Sequence, residues 1–292
     1  MLFDFSASTL KVGFALRSEV FHPATIQKAV SMLEDLGVES VWFPDIAFDA
    51  LELSAIALGA TQKIKVGTGV IRIFEHSPEQ LVKRVYTLNQ ASGKRFTLGV
   101  GTGARTGERA IEDFLKHYKQ FVQIYPEKNE LSVYFSALRK RMLNLALKEA
   151  NGVIFNFCSP SYVSKLIGNA KRQNFVFAVY IKLFFAKQDS VASKMLIDEF
   201  LRYYSYPHYA AMFENMGVTK ELESLKKGEI SNVPESLLEI SLYNPSKDAL
   251  FSMLTRFLKV GINLPIIYPY VAGSNDYKLE VLSNLARSLV EG

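Results

Sequence analysis

The hydrophobic period of this chain switches again and again between short continuous apolar runs and longer amphipathic stretches. That alternation is the signature of βα units whose strands are buried on both faces of a parallel sheet. The runs are KVGFAL (11–16), SVWFPDI (40–46), IKVGTGVI (64–71), RFTLGV (95–100), LSVYFSAL (131–138), GVIFNF (152–157), FVFAVYIKLFF (175–185) and LPIIYPY (264–270). A helix-like stretch follows each of them, the last being DYKLEVLSNLARSLVEG. Eight such units predict a closed barrel, because an open doubly wound sheet commonly has about five to seven strands and two edges to protect. The length of 292 residues suits one barrel of roughly 250 residues plus an addition. The fold class is therefore α/β, a single (β/α)8 TIM barrel over residues 1–292.

The addition lies between the seventh and eighth runs, at about residues 186–245, and contains the aromatic FLRYYSYPHYAAMFENMGV and the charged KELESLKKGE. Loops that follow barrel strands build the active-site face, so a helical insertion here is expected across the mouth as a lid, a subunit contact or a small packed subdomain. The net charge is +5, yet Lys and Arg are scattered among acids with no basic run of the kind that follows a phosphate backbone, so nucleic acid is not an expected partner. One cysteine, Cys158, excludes an internal disulfide framework and a thiol-based metal site, and it reads as a small buried filler. The first residues show no signal-peptide pattern, and FVFAVYIKLFFA is too short to span a bilayer and carries Lys182. A cytoplasmic protein without a membrane span is expected.

Two strands end in the same phrase, Gly67-Thr68-Gly69 and Gly101-Thr102-Gly103. Glycines at a strand end permit positive φ and close approach, and neighbouring amides can face an anion or a heteroaromatic ring; they can equally just close βα turns. On consecutive parallel strands the two endings would stand side by side at one rim. Neither is a dinucleotide fingerprint: Thr106 replaces the third glycine and no acid ends the next strand. No glycine-rich turn runs into Gly-Lys-Ser or Gly-Lys-Thr, so a P-loop is absent as well.

The stretch GTGVIRIFEHSPEQLVKRVYTLNQASGKRFTLGVGTG resembles the passage from the third to the fourth strand of the bacterial luciferase-like superfamily of flavin- and deazaflavin-dependent barrel enzymes. ESVWFPDIAF is similar to its second-strand motif, SALRKRMLNLALKEANGVIFNF to its fifth-to-sixth-strand passage, YYSYPHYAAMFENMGV to its insertion and GINLPIIYPY to its last strand. The resemblance implies a non-proline cis peptide between Gly69 and Val70 under the cofactor ring, with Thr68 beside it. It brings Asp45 near the ring and Gly101, Thr102 and Gly103, with the chain on to Arg105, alongside. It implies a phosphate at the helix opened by Ala137, Leu138, Arg139, Lys140 and Arg141. Those three cations favour coenzyme F420, with its phosphodiester and polyglutamate tail, over FMN.

Deazaflavin-dependent relatives often carry a glutamate, a histidine and an acid where this chain has Ala15, Ile46 and Ala104. Their frequent Arg-His-Pro reads here as His76-Ser77-Pro78. His76 is the acid–base candidate, with Asp45 beside it, while His22 is weaker and His117 and His208 read as ordinary helix residues. The resemblance implies an oxidoreductase passing hydride between F420 and a small organic substrate. The alternatives are an FMN-dependent monooxygenase and a flavin-binding relative without catalysis. It also implies a homodimer; no metal is expected.

Overall fold

The computed structural model describes residues 11–290 apart from 104, 106, 108, 128 and 171. Eight parallel strands close on themselves: β1 (Gly13–Ala15), β2 (Ser40–Phe43), β3 (Lys65–Thr68), β4 (Phe96–Gly101), β5 (Ser132–Ser136), β6 (Gly152–Asn156), β7 (Val176–Phe185) and β8 (Leu264–Val271). The barrel shuts where β8 pairs with β7 from Leu264↔Ala178 to Val271↔Phe185 and with β1 at Gly13↔Ile266. Every apolar run read from the sequence carries one strand. The differences lie at the ends and have local causes. The second run stops at Phe43 because Pro44 has no N–H for the ladder. The third stops at Thr68 and resumes as the two residues Ile71–Arg72, with the peptide Gly69–Val70, which is cis, between the pieces.

Helices α1 (Pro23–Asp35), α2 (Ala50–Ala60), α3 (Pro78–Ala91), α4 (Ala110–Ile124), α5 (Lys140–Glu149) and α6 (Pro160–Ile167) follow the first six strands. Their starts are written into the chain. Ser77 and Ser159 accept from the amides of Gln80 and Tyr162, each just before a proline that opens the helix, and Asp49 accepts from Leu51 and Glu52. His22 does the same for α1 through Nδ1, 3.3 Å from the Ala24 amide.

Inside the barrel, Trp42 stacks on Tyr134 with ring centroids 5.5 Å apart. Both rings need glycine opposite: a Cβ on Gly67 would stand 2.4 Å from the Trp42 ring, and one on Gly152 would stand 2.8 Å from Tyr134. The lower barrel is thus plugged by aromatic packing, as a packed core rather than a pore.

After β7 the chain builds α7 (Asp189–Tyr204), α8 (Pro207–Met216), α9 (Thr219–Lys227) and α10 (Glu235–Leu238). It then adds Leu242–Tyr243 beside the end of β7 and returns through α11 (Lys247–Lys259) to β8, which α12 (Asn275–Val290) follows. The inserted helices bind the barrel through rings: Phe200 of α7 stacks on Phe157, just past β6, at 4.3 Å, and Phe213 of α8 meets Phe157 at 5.7 Å. Among the described residues no helix is long and apolar enough to cross a membrane.

Candidate active site at the barrel mouth

The cis peptide Gly69–Val70 stands at the end of β3, where the resemblance implied it. Its Gly69 carbonyl accepts a hydrogen bond of 3.0 Å from the Tyr180 hydroxyl, which crosses the barrel from β7. A Cβ on Gly69 would lie 1.5 Å from that hydroxyl, so the approach requires glycine. Thr68 is fully buried and spent on the ladder, its Oγ1 donating to the Gly99 carbonyl and accepting from the Gly99 amide, both at 2.9 Å. A Cβ on Gly101 would meet Ser136 Oγ at 2.4 Å, and one on Gly103, where φ is +62°, would meet the Arg72 side chain at 2.7 Å. The room left by the two Gly-Thr-Gly endings is taken by the protein's own atoms.

Asp45 and His76 stand at the rim. Asp45 accepts from the Ala50 amide at 3.3 Å and pairs with Arg72 at 3.7 Å. The His76 carbonyl accepts from His117 Nε2 at 2.9 Å. Burial and the Arg84 guanidinium hold the His76 imidazole below its ordinary value, against the pull of Asp45, Asp49 and Glu75. Ile46 is exposed, Ala15 is buried in β1, and Ala104 lies outside the described residues. Arg105 covers the Phe74 ring at 3.9 Å.

The helix expected to open near Leu138 begins at Lys140 with Arg139 as its N-cap, and no side chain caps it. Ala137 is in the ladder, its amide donating to Ile154 at 3.0 Å, and the Leu138 carbonyl accepts from the Tyr162 hydroxyl at 2.9 Å. Of the three cations, Lys140 donates to the Leu166 carbonyl at 2.7 Å and Arg141 pairs with Glu112 at 3.4 Å. Arg139 is exposed, and the His208 imidazole is held below its ordinary value by burial and then by the charge of that guanidinium. His208 Nδ1 and Asn156 Oδ1 are buried without a hydrogen-bond partner, while Asn156 Nδ2 donates to Tyr209 at 2.6 Å. Val70, Thr102, Gly103, Ser136, Leu138 and Asn156 are all half-buried, so the ends of β3 to β6 form a partly open floor leading to α5.

Over the ends of β7 and β8 lies a charged cluster that sequence reasoning missed. Lys182 is fully buried and donates to Glu199 of α7 at 2.8 Å. The same carboxylate accepts from Arg202 at 2.8 and 2.9 Å, from the Tyr270 hydroxyl at 2.5 Å and from Arg17 at 3.3 Å. Arg17 also reaches Tyr270 at 2.9 Å and pairs with Glu19. Burial would raise the Glu199 carboxyl, but Lys182 and Arg202 hold it well below the usual carboxylate range. The Lys182 ammonium lies 3.6 Å over the Tyr203 ring and 4.3 Å over Phe157. One signal pointed to it: Lys182 shares the inward period-2 face of β7 with Tyr180, a place where a charge needs a buried partner. Two surface cavities, one beside Tyr118 and Glu149 and the other between α10 and α11 with Leu242, are lined by none of the mouth residues named above; the mouth is where polar groups converge.

Residues 5–122 match the model of the luciferase-like monooxygenase family. The chain is 26% identical over 161 residues to 5,10-methylenetetrahydromethanopterin reductase of Archaeoglobus fulgidus, covering 45% of this chain and 48% of that protein. It is 42% identical over 111 residues to 4-hydroxyprotoasukamycin monooxygenase of Streptomyces nodosus subsp. asukaensis, covering 32% of this chain and 30% of that one. The chain thus spans about half the length of the first relative and less of the second. In fold it is similar to the coenzyme F420-dependent tetrahydromethanopterin reductase of Methanopyrus kandleri, with a TM-score of 0.75, 18% identity, and coverage of 97% of this chain and 99% of that one. Through its first four barrel strands the chain is thus similar in sequence to the luciferase-like monooxygenases, and its whole eight-stranded barrel is similar in fold to the Methanopyrus reductase.

Proposed function

We propose that the chain is an oxidoreductase that passes hydride between bound coenzyme F420 and a small organic substrate at the barrel mouth. The observation that carries this reading is the half-buried floor running from Val70 to Asn156, bordered by Gly69 and ending at the uncapped start of α5. A flat ring system suits such a floor against the half-buried Val70, Thr102 and Gly103, with the buried Thr68, Gly69 and Gly101 beneath it. An anionic phosphate suits the free amides after Ala137 and Leu138, the Arg139 guanidinium and the unpartnered polar atoms of His208 and Asn156. Bound there, a reduced deazaflavin would supply a hydride equivalent. The chain's part is to hold the two reactants face to face and exclude water, with the α7–α8 insertion as cover. Of the rim groups, His76 keeps an imidazole that is neutral at ordinary pH and can accept a proton, whereas Asp45 is committed to Arg72 and the Ala50 amide.

Arg139→Ala tests the reading, because Lys140 and Arg141 are already engaged. A charged hydrogen bond to phosphate is worth about 1.5–3 kcal/mol, so F420 affinity measured by fluorescence quenching should fall roughly tenfold or more, with the melting temperature unchanged. Equal affinity in wild type and variant would remove the phosphate from α5. The second reading, an FMN-dependent monooxygenase, draws on the 42% identity to the Streptomyces monooxygenase, and uptake of FMN in preference to F420 would favour it. A cytoplasmic homodimer completes the proposal. Helix α2, ALELSAIALGA, is apolar on nearly every side, nothing lies within 4 Å of a Cβ built on its Gly59, and Ile46 and Phe48 next to it are each 40% exposed.

A further inference from the structure

Between α10 and α11 lies a groove of about 580 Å³, within the range of about 300–1,000 Å³ usual for small-molecule sites. Leu237 of α10 is buried, as are Leu250, Met253, Leu254 and Phe257 of α11, and these side chains hold the two elements down. Their other faces line the groove. α11 turns Ala249, Ser252 and Arg256 to it, positions three and four residues apart that fall on one face of a helix. The α10 side supplies Glu235, Ser236 and Glu239, and the half-buried Leu238 and Leu242 add apolar surface.

The polar groups around this groove are under-used. Arg256 Nε is buried without a hydrogen-bond partner, and the ion pair that its guanidinium makes is a long one, 4.0 Å from Nη1 to Glu239 Oε1. Ser236 Oγ donates to Glu221 Oε1 at 3.2 Å, and the other Glu221 oxygen is buried without a partner. With Thr219 Oγ1 and Ser241 Oγ, these make up half of the unpartnered buried side-chain atoms among the described residues, all in the chain from Thr219 to Arg256. Buried donors and acceptors of a folded protein are nearly all paired, so unpaired ones gathered about a cavity mark where an outside group belongs.

Charge narrows the class of ligand. Arg256 is the one cation among the lining residues, while Glu235 and Glu239 line the groove and Glu221 is hydrogen-bonded to its wall at Ser236. A plain anion would meet these carboxylates, and a diamine would leave Arg256 unanswered. A ligand of net positive charge that also carries one carboxylate satisfies both signs. We propose that the groove is a binding site for a basic α-amino acid of the lysine or arginine type. Its carboxylate takes Arg256, its α-ammonium takes Glu239, its distal cation takes Glu235, and its methylene stem lies on Leu238 and Leu242. The α-carboxylate and α-ammonium sit on one carbon, which matches a guanidinium and a carboxylate that stand close without closing on each other.

The site shares no lining residue with the barrel mouth and depends on no coenzyme. Leu242 pairs with Leu183 and Tyr243 with Phe184 at the end of β7, so the groove adjoins the point where the insertion returns to the barrel. A bound amino acid bridges α10 and α11 there.

The test uses the whole chain with 13C-labelled leucine methyls, the Leu238 and Leu242 signals being assigned through Leu238→Met and Leu242→Met. L-Lysine and L-arginine should move both signals saturably, with a Kd of about 1 mM or tighter, as fits a small ligand whose charges stay partly solvated. Cadaverine lacks the carboxylate, ε-aminocaproate the α-ammonium and L-norleucine the distal cation, and each should bind at least about fivefold more weakly. Arg256→Gln should weaken lysine binding by about the same factor. Ser252→Tyr, at an exposed position on the groove face, should abolish binding and leave the melting temperature unchanged. Signals that stay in place up to about 20 mM lysine would overturn the proposal. So would cadaverine or norleucine binding as tightly as lysine, or wild-type affinity in Ser252→Tyr.

Discussion

Glu199→Gln should be one of the most damaging isosteric changes in this chain. The carboxylate is 6% exposed and receives hydrogen bonds from Lys182, Arg17, Arg202 and Tyr270. Glutamine keeps the shape but removes the negative charge that faces a fully buried ammonium, and its NH2 group turns a donor toward other donors. Leaving a buried charge without its partner costs about 3–5 kcal/mol. At about 2 °C per kcal/mol for a chain of this size, the melting temperature should fall by roughly 6–10 °C. Lys182→Met should cost less, because Glu199 would still hold two guanidinium groups and methionine suits the aromatic surroundings. The double variant should recover part of the Glu199→Gln loss. The pH dependence has a definite sign. Because the folded carboxyl is depressed, its stabilisation is complete above the unfolded value of about 4.3 and is lost progressively as the pH falls from there toward the folded one. The gap between wild type and Glu199→Gln, followed by scanning calorimetry, should therefore narrow only on acidification below about pH 4. A Glu199→Gln protein melting within about 2 °C of wild type at pH 7, or a double variant no better than it, would refute the picture of one carboxylate serving three cations.

Gly99→Ala would set a Cβ 1.9 Å from the Thr68 carbonyl oxygen, a backbone atom that cannot swing away, so a loss of about 3 kcal/mol is expected in urea unfolding, and a wild-type midpoint would contradict it. Arg95 ties the chain before β4 to the carbonyls of Leu58, Thr61, Ile64 and Ser92 at 2.9 to 3.0 Å. Arg95→Lys cannot reproduce that fork and should cost about 2–3 kcal/mol in the same assay, with coenzyme affinity unchanged. Light scattering at micromolar concentration should give a dimer that Gly59→Glu converts to monomer; a monomeric wild type would remove α2 as the pairing face.

The sequence by itself determined the architecture. Strand identity follows from the length and continuity of apolar runs, and helix starts such as Ser77-Pro78 and Ser159-Pro160 are local chemistry, so both could be read without knowing what touches what. The bond at Gly69–Val70 and the insertion after the seventh strand were legible as well, through resemblance and through the broken βα rhythm. What the linear chain could not show is how side chains are spent. Gly69 must be glycine because of Tyr180, and Thr68 is consumed by Gly99, partners 111 and 31 residues away. Lys140 and Arg141 read as free phosphate ligands until the fold hands them Leu166 and Glu112. The cluster around Glu199 joins Arg17 to a helix 182 residues on, and Lys182 to the same helix only 17 residues on. Apolar periodicity is a local signal because burial acts on every residue of an element in turn. The pairing of polar groups is set only when barrel closure brings β1, β7, β8 and α7 to one end, so which hydroxyl or cation remains free for chemistry is decided by the tertiary structure alone.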